Sequence, residues 1–467
     1  MNSPTVLPTI VPWELPPPDT HAVSEPYRRA LSILYAFSET ARSPDEIRLA
    51  RERKLDRVRT LLGLLESPQA HFETILVAGT KGKGSTAAML TSILQAAGLR
   101  VGRYTQPHLY SYRERTWARG RYVEEDELVA EVQSMADALR VMERRRSELG
   151  ALTTFDVGTA FSLLHFARAG VEVAVVEVGV GGANDATNAL EPVLTLIGPI
   201  GMDHAETLGN DLTAVAREKA GVLRRGIDAV VARQEPYVAN VIGEAAVNVG
   251  AHLFALRDDS VRDDAGCSFA VAGPEGELGG LSVALAGRFQ RDNAAMAVIA
   301  AQLLARRGWR VAEPAIREGL ARVHWPGRFQ TVVRDPLTIV DGAHNPYAAR
   351  ALSDTIWTSM SGRPLTLVLG MSQEKDIAST VTELAPLAGR IIVTRARHLR
   401  SCSPAQLAEI VRSVAPTLEL IVASTPGEAL ELAWATQAPN AATVVTGSLF
   451  LVGDVLEWLL PFTGNVA

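Results

Sequence analysis

Cysteine is nearly missing from this chain: there are two in 467 residues, Cys267 and Cys402, far apart and in no paired spacing. That excludes a disulfide framework and leaves a cysteine-based zinc site without support. A long apolar run is missing as well, so no segment reads as a bilayer span and no membrane partner is expected. A basic excess is also lacking. The net charge is −6, and gripping a phosphodiester backbone takes a basic face, so nucleic acid is not expected as an obligatory partner. The triplet Arg144-Arg145-Arg146 is local, precedes Glu148, and reads as a solvated helix face. Residues 1–20 carry Pro16-Pro17-Pro18 and lack the basic head and apolar centre of a secretory leader. They read as an ordered arm or a frayed tail, and the cytoplasm is the expected compartment.

What is present is a globular balance, 47% hydrophobic and 21% charged. The length suits two or three domains. The chain centres on Ile75-Leu76-Val77-Ala78-Gly79-Thr80-Lys81-Gly82-Lys83-Gly84-Ser85-Thr86, followed by an alanine-rich segment. This is a strand, a glycine-rich turn and a helix. Such a turn lets backbone N–H groups converge on an oligophosphate; the helix N-terminus adds partial positive charge and Lys83 a full one. The spacing is G-x-x-G-K-G-S-T rather than the common G-x-x-x-x-G-K-[ST], which makes it a variant phosphate loop. A plain tight turn with a solvated Lys83 is the alternative.

Helical spacing recurs at Tyr27–Phe37 and Leu55–Leu65, and these segments are expected to cover one side of the loop strand. A short strand follows at Leu99–Tyr104, a charged helix at 124–149 and an apolar helix at Asp156–Ala169. The run 172–178 is Val/Ala-rich throughout, as in a parallel strand buried on both faces. A strand at 193–197, a helix at about 211–223, a β-rich insert at 266–286 and a helix at Gln290–Arg306 continue the series. Composition breaks at His324-Trp325-Pro326-Gly327-Arg328, and beyond it strands at 337–340, 364–369, 389–394, 417–422 and 442–446 alternate with helices. The expected fold is α/β: a doubly wound phosphate-loop domain with a mainly parallel sheet over 1–323, then a smaller Rossmann-like α/β domain over 324–467.

Open α/β sheets bind ligands just past the carboxyl ends of their strands. Four sets of polar residues fall there: the phosphate loop, Glu177, His204, and Asp341 with Asn345. A carboxylate such as Glu177 can hold Mg²⁺ beside a nucleotide, or can end a strand with its head solvated. His204 alone reads equally as a hydrogen-bonded structural residue. Asp341 and Asn345 could be turn and cap residues before the helix at Pro346. Lys219 is by pattern an exposed helix lysine. Two domains with polar strand ends suggest a cleft between them.

The set resembles the folylpolyglutamate synthases and dihydrofolate synthases, members of the Mur-type amide ligases. The likeness begins with the phosphate loop and continues through Pro107-His108-Leu109 with Arg113-Glu114-Arg115, then Val176-Glu177-Val178-Gly179 to Asn188. Asp203-His204, Glu218-Lys219-Ala220-Gly221 and Gln290-x-x-Asn293 follow. Pro326-Gly327-Arg328, Asp341-Gly342-Ala343-His344-Asn345-Pro346 and Gly447-Ser448-Leu449 complete it. The resemblance implies ATP-driven amide synthesis: a folate or dihydropteroate carboxylate becomes an acyl phosphate, and the amine of L-glutamate displaces phosphate. It further implies that Gly79, Thr80, Gly82, Lys83, Gly84, Ser85, Thr86, Asn293, Arg328, Asp341 and His344 bind ATP. Ser85, Gln106, Glu177, His204 and Lys219 would serve one or two Mg²⁺ ions, with K⁺ as a further cation, and Lys219 would do so as a carbamate. Lys83, Glu177, His204 and Lys219 are the implied catalytic groups. Three positions depart from the family's pattern. Gln106 stands where serine is usual, Ala183-Asn184 where arginine-leucine is, and Lys81 where asparagine is. An amide oxygen can ligate a hard cation. Two readings compete with the first: a Mur-type ligase acting on a non-folate carboxylate, and a nucleotide-binding regulator without catalysis. A monomer is expected, because two domains closing on ATP require no partner chain.

Overall fold

The computed structural model describes residues 8–21, 23–37, 49, 52–202, 211–264 and 268–463. Eight strands form the first sheet: β1 (Glu73–Ala78), β2 (Val101–Tyr104), β3 (Thr116–Ala118), β4 (Arg121–Tyr122), β5 (Val173–Glu177), β6 (Leu194–Ile197), β7 (Asp228–Val231) and β8 (His252–Ala255). Their order is β4-β3-β2-β5-β1-β6-β7-β8, parallel except where β3 and β4 turn back antiparallel at one edge. β1 lies between β5 and β6, and its own chain leaves toward β2 on one side while β6, β7 and β8 build out on the other. This reversal opens a crevice at the carboxyl end of β1.

The period of two in β1 assigns its side chains. Leu76 and Ala78 enter one core with Tyr27, Leu34, Val58 and Leu62, so the two early helices, Glu25–Tyr35 and Lys54–Leu64, do cover that face. Ile75 and Val77 enter the opposite core with Leu90, Ile93 and the alanine-rich helix Phe289–Arg306. With both faces covered, β1 and β5 are buried over nearly their whole length.

The insert is a three-stranded antiparallel sheet, β9 (Val261–Asp263), β10 (Phe269–Gly273) and β11 (Gly276–Leu281), whose Phe269, Val271 and Leu281 join the second core. The second large sheet runs β12 (Gln330–Val333), β13 (Thr338–Val340), β17 (Ala442–Thr446), β14 (Leu365–Leu369), β15 (Arg390–Val393), β16 (Glu419–Val422) in spatial order. Only β12 is antiparallel.

Several elements differ from the sequence expectation. The charged helix at 124–149 is three pieces, Glu125–Ser134, Ala136–Arg144 and Arg146–Leu149. At Met135 and Arg145 the N–H is shared between carbonyls three and four residues back, which tightens the turn and breaks the run. The antiparallel strands β3, β4 and β12 are too short for a periodic signal. Residues 8–20, placed by sequence at the head of the first domain, lie against the second sheet. Ile10 bridges antiparallel to Val333, and Thr9 and Val11 donate to Asp335 and Val332 carbonyls. Their far end is tied to the first half, where Asp19 accepts from Ser111 Oγ, Tyr112 N and Tyr27 Oη. Among the described residues, no helix is long and apolar enough to cross a membrane.

Candidate active site

The phosphate loop turns sharply because two glycines occupy left-handed backbone, Gly79 at φ 138° and Gly82 at φ 74°. Gly79 also packs against Gly198, where an added Cβ would sit 2.9 Å from its Cα. The loop is pinned to the end of β6 by Thr80 N on the Pro199 carbonyl (2.9 Å) and Thr80 Oγ1 on the Gly201 carbonyl (3.0 Å). Gly79→Ala therefore meets backbone it cannot displace and a φ it resists. The expected cost is about 1–3 kcal/mol of stability together with weakened nucleotide affinity, measurable by thermal unfolding with and without ADP.

Lys83, Gly84 and Ser85 form the first turn of the helix Lys83–Ala96, where N–H groups have no intrahelical acceptor. Lys83 Nζ stands 3.8 Å from Glu177 Oε1. Parallel pairing of Val77 with Glu177 brings that carboxylate beside the loop. Gln106 N donates to Glu177 Oε2 at 3.2 Å. Burial pushes the Glu177 carboxyl above the ordinary range, opposed first by the charge of Lys83 and then by the Gln106 N–H, Arg328 and Arg103.

Lys219 corrects the pattern-based reading. It is 5% exposed rather than solvated, and its Nζ donates to the Gly79 carbonyl at 2.9 Å. The Gly181-Gly182 turn lies against it, with Ala183 N on the Glu218 carbonyl (2.7 Å) and Asn184 N on Glu218 Oε1 (2.8 Å). Asn293 presses its Oδ1 on Gly82 and donates to Gln290 Oε1 at 2.9 Å, and Gln290 Nε2 reaches Ser85 Oγ at 3.5 Å. His204 lies outside the described residues.

Arg328 reaches across from the second half. It lines one narrow cleft with Glu177, Gln106, Gly84, Trp325 and Leu449. Behind it, Asp341 is buried and accepts Phe329 N (2.9 Å) and Ala343 N (2.8 Å). Burial raises the Asp341 carboxyl, and Arg328 is the first influence opposing it. His344 Nδ1 pairs with the Gly342 carbonyl at 2.9 Å, on the second-sheet side of the cleft. Asn345 caps the helix Pro346–Met360 through Ala348 N. Among the predicted residues, the loop, Glu177, Gln106, Lys219, Asn293 and Arg328 converge. Asp341 stands one layer back, behind the Arg328 turn, and His344 is half-buried three residues further along the same segment.

One residue that sequence patterning did not single out also belongs to this region. Arg103, in the middle of β2, is 5% exposed and stacks between the rings of Trp117 (5.2 Å) and Trp325 (4.7 Å). A charged residue inside the strand Val101-Gly102-Arg103-Tyr104 was the available signal.

A phosphate loop at the carboxyl end of a parallel sheet, facing a cleft closed by an arginine from a second α/β unit, defines a Mur-type ligase. The Mur ligase middle domain matches residues 77–301, and the Mur ligase glutamate ligase domain matches 327–449. The chain is 32% identical over 440 residues to the folylpolyglutamate synthase of Lacticaseibacillus casei, covering 93% of this chain and 99% of that one. It is 30% identical over 414 residues to the dihydrofolate synthase/folylpolyglutamate synthase of Bacillus subtilis, covering 87% and 94%. It superposes on Mycobacterium tuberculosis folylpolyglutamate synthase complexed with ADP with a TM-score of 0.84, at 29% identity over 93% of this chain and 98% of that one. For Escherichia coli FolC in complex with DHPP and ADP the TM-score is 0.80, at 30% identity over 94% and 98%. The chain belongs to the folylpolyglutamate synthase and dihydrofolate synthase family, and it is an ATP-dependent ligase of that family.

Proposed function

We propose that the chain joins L-glutamate to the carboxylate of a folate or of dihydropteroate at the expense of ATP. The observation that carries this reading is the convergence of Lys83, Glu177 and Arg328 on one cleft between the two sheets. The acceptor carboxylate attacks the γ-phosphorus of ATP, the bond to the bridging oxygen breaks, and ADP leaves. The acyl phosphate is then attacked by the amine of glutamate, which loses a proton as inorganic phosphate departs. Negative charge crowds the cleft in the first step, and Lys83, Arg328 and the helix N-terminus at Lys83 oppose it in a site held away from water.

The donor set fits Mg²⁺. Glu177 supplies a buried carboxylate and the first turn of the loop helix supplies the buried hydroxyls of Ser85 and Thr86; among the described residues Thr86 Oγ1 has no hydrogen-bond partner. One carboxylate with hydroxyl and phosphate oxygens is the usual Mg²⁺ environment. Glu177, Ser85 and Thr86 would hold the ion, with Gln106 and His204 as further candidates and Lys219 as its carbamate. Bound there, the ion would neutralise phosphate charge. Asn293, Asp341 and His344 are assigned to the nucleotide, Asp341 by holding the Arg328 turn. We divide the chain into a first domain to residue 323 and a second from 324, working as a monomer in the cytoplasm.

The test is product mass analysis with ATP, Mg²⁺ and L-glutamate, run side by side on dihydropteroate and tetrahydrofolate. A product one glutamyl residue heavier is expected from at least one. No glutamate-dependent phosphate release with either acceptor would overturn the reading.

A further inference from the structure

Among the described residues, three buried N–H donors around this cleft have no acceptor: Arg103 Nε, Gln106 Nε2 and Trp325 Nε1. Leaving such a group unpaired costs about 1–3 kcal/mol each, so three together at one place call for an explanation. Gln106 and Trp325 line the cleft with Glu177, and the charge of Arg103 bears on Glu177. The indole of Trp325 packs against the first turn of the phosphate-loop helix at Gly84. A Cβ added to Gly84 would come within 2.8 Å of its Cζ2 and 3.3 Å of its Nε1. An indole N–H can only donate, and so can a guanidinium Nε. The missing partner is therefore an acceptor, and the cations Lys83 and Arg328 beside it make an anionic oxygen the suitable one.

We propose that Trp325 Nε1 donates to an anionic oxygen of the reacting carboxyl–phosphate group, and that Arg103 is a positioning residue that holds the indole there. This rests on the ligase reading above. Trp325 belongs to the link between the two halves, whereas Arg103 and Trp117 belong to the first sheet. The stack Trp117–Arg103–Trp325 thus fixes a group from the link against the phosphate loop, and cation–π contacts of this kind gain strength when desolvated. The oxygen has two sources, the γ-phosphoryl group and the acceptor carboxyl, and both present the same chemistry to an N–H donor.

Trp325→Phe in the full chain keeps an aromatic face for Arg103 and deletes the donor together with part of the ring area. Three quantities separate the outcomes: affinity for ADP, affinity for a non-hydrolysable ATP analogue, and kcat and KM with the acceptor. ADP affinity and the thermal midpoint are expected to hold. A loss of roughly 10- to 100-fold is expected in analogue affinity if the oxygen is phosphoryl, or in the acceptor kinetics if it is carboxyl. Arg103→Lys is expected to lower the same quantity as Trp325→Phe, and the double variant to lose less than the product of the two. Unchanged values throughout, or equal losses for ADP and the analogue, would overturn the proposal. A wild-type chain inactive on every acceptor would sink the ligase reading, while the comparison of analogue with ADP would still report on Trp325.

Discussion

Lys83→Ala is expected to lower glutamate-dependent turnover by roughly 10³-fold or more while the chain stays folded. The loop glycines and the first-turn N–H groups survive the change, so part of the phosphate affinity survives with them. What goes is the full cation standing 3.8 Å from Glu177. The helix N-terminus supplies only about half a unit charge. In a cleft screened from water, transfer of a phosphoryl group to a carboxylate concentrates charge that this half unit cannot offset. A second consequence adds to the first. Lys83 is the strongest influence lowering the Glu177 carboxyl against burial, so its removal drives Glu177 further toward the protonated form. The measurement is phosphate release under saturating ATP and glutamate, alongside ADP affinity. A fall in kcat much larger than the fall in affinity is the expected pattern, because the lost charge matters most where charge develops. A retained rate would mean the phosphate site lies elsewhere.

Lys83 was legible in the sequence because its signal is local: four apolar residues, three glycines and the start of a helix compress into twelve positions. Glu177 was legible for a related reason, as a carboxylate closing a Val/Ala strand. Lys219 was not. Its helix, Leu212–Ala220, has the charged composition of a surface element, and only the approach of the glycine turns 79 and 181–182 shows that it is buried. Arg103 was missed because a single strand does not show what covers it. Trp117 comes from an antiparallel strand and Trp325 from the link 222 positions beyond Arg103, so the stack exists only in three dimensions. The large parallel strands were foreseen because burial on both faces writes continuous apolar runs. The short antiparallel strands β3, β4 and β12 carry two to four residues each, too few for alternation to register. The charged segment at 124–149 shows the converse error. Composition announced helix correctly, but the breaks at Met135 and Arg145 depend on local hydrogen-bond geometry that composition does not carry.

Arg57→Leu, remote from the cleft, is expected to cost about 3–5 kcal/mol of stability. Arg57 is 1% exposed and Asp156 fully buried. Their contact is two-pronged, Nε and Nη2 each 2.9 Å from Asp156 Oδ2, while Nη1 donates to the Leu149 carbonyl at 3.1 Å. Asp156 in turn accepts Thr153 N at 2.9 Å and opens the helix Thr154–Arg168, which leads directly into β5 and Glu177. Leucine would fill part of the space but leave a carboxylate and a carbonyl in a dry core without the donors that justified burying them. An ion pair of this kind adds little net stability when both partners are present, yet removing one exposes the full desolvation cost of the other. The double change Arg57→Leu with Asp156→Asn should therefore recover a large share of the loss, since the amide oxygen can still accept Thr153 N and no bare charge remains. Urea unfolding reads both variants through the midpoint at unchanged slope. If the single change moves the midpoint no further than a surface substitution would, about 0.5 kcal/mol, the pair does not anchor these helices. If the double variant is no better than the single one, packing rather than the stranded charge sets the cost.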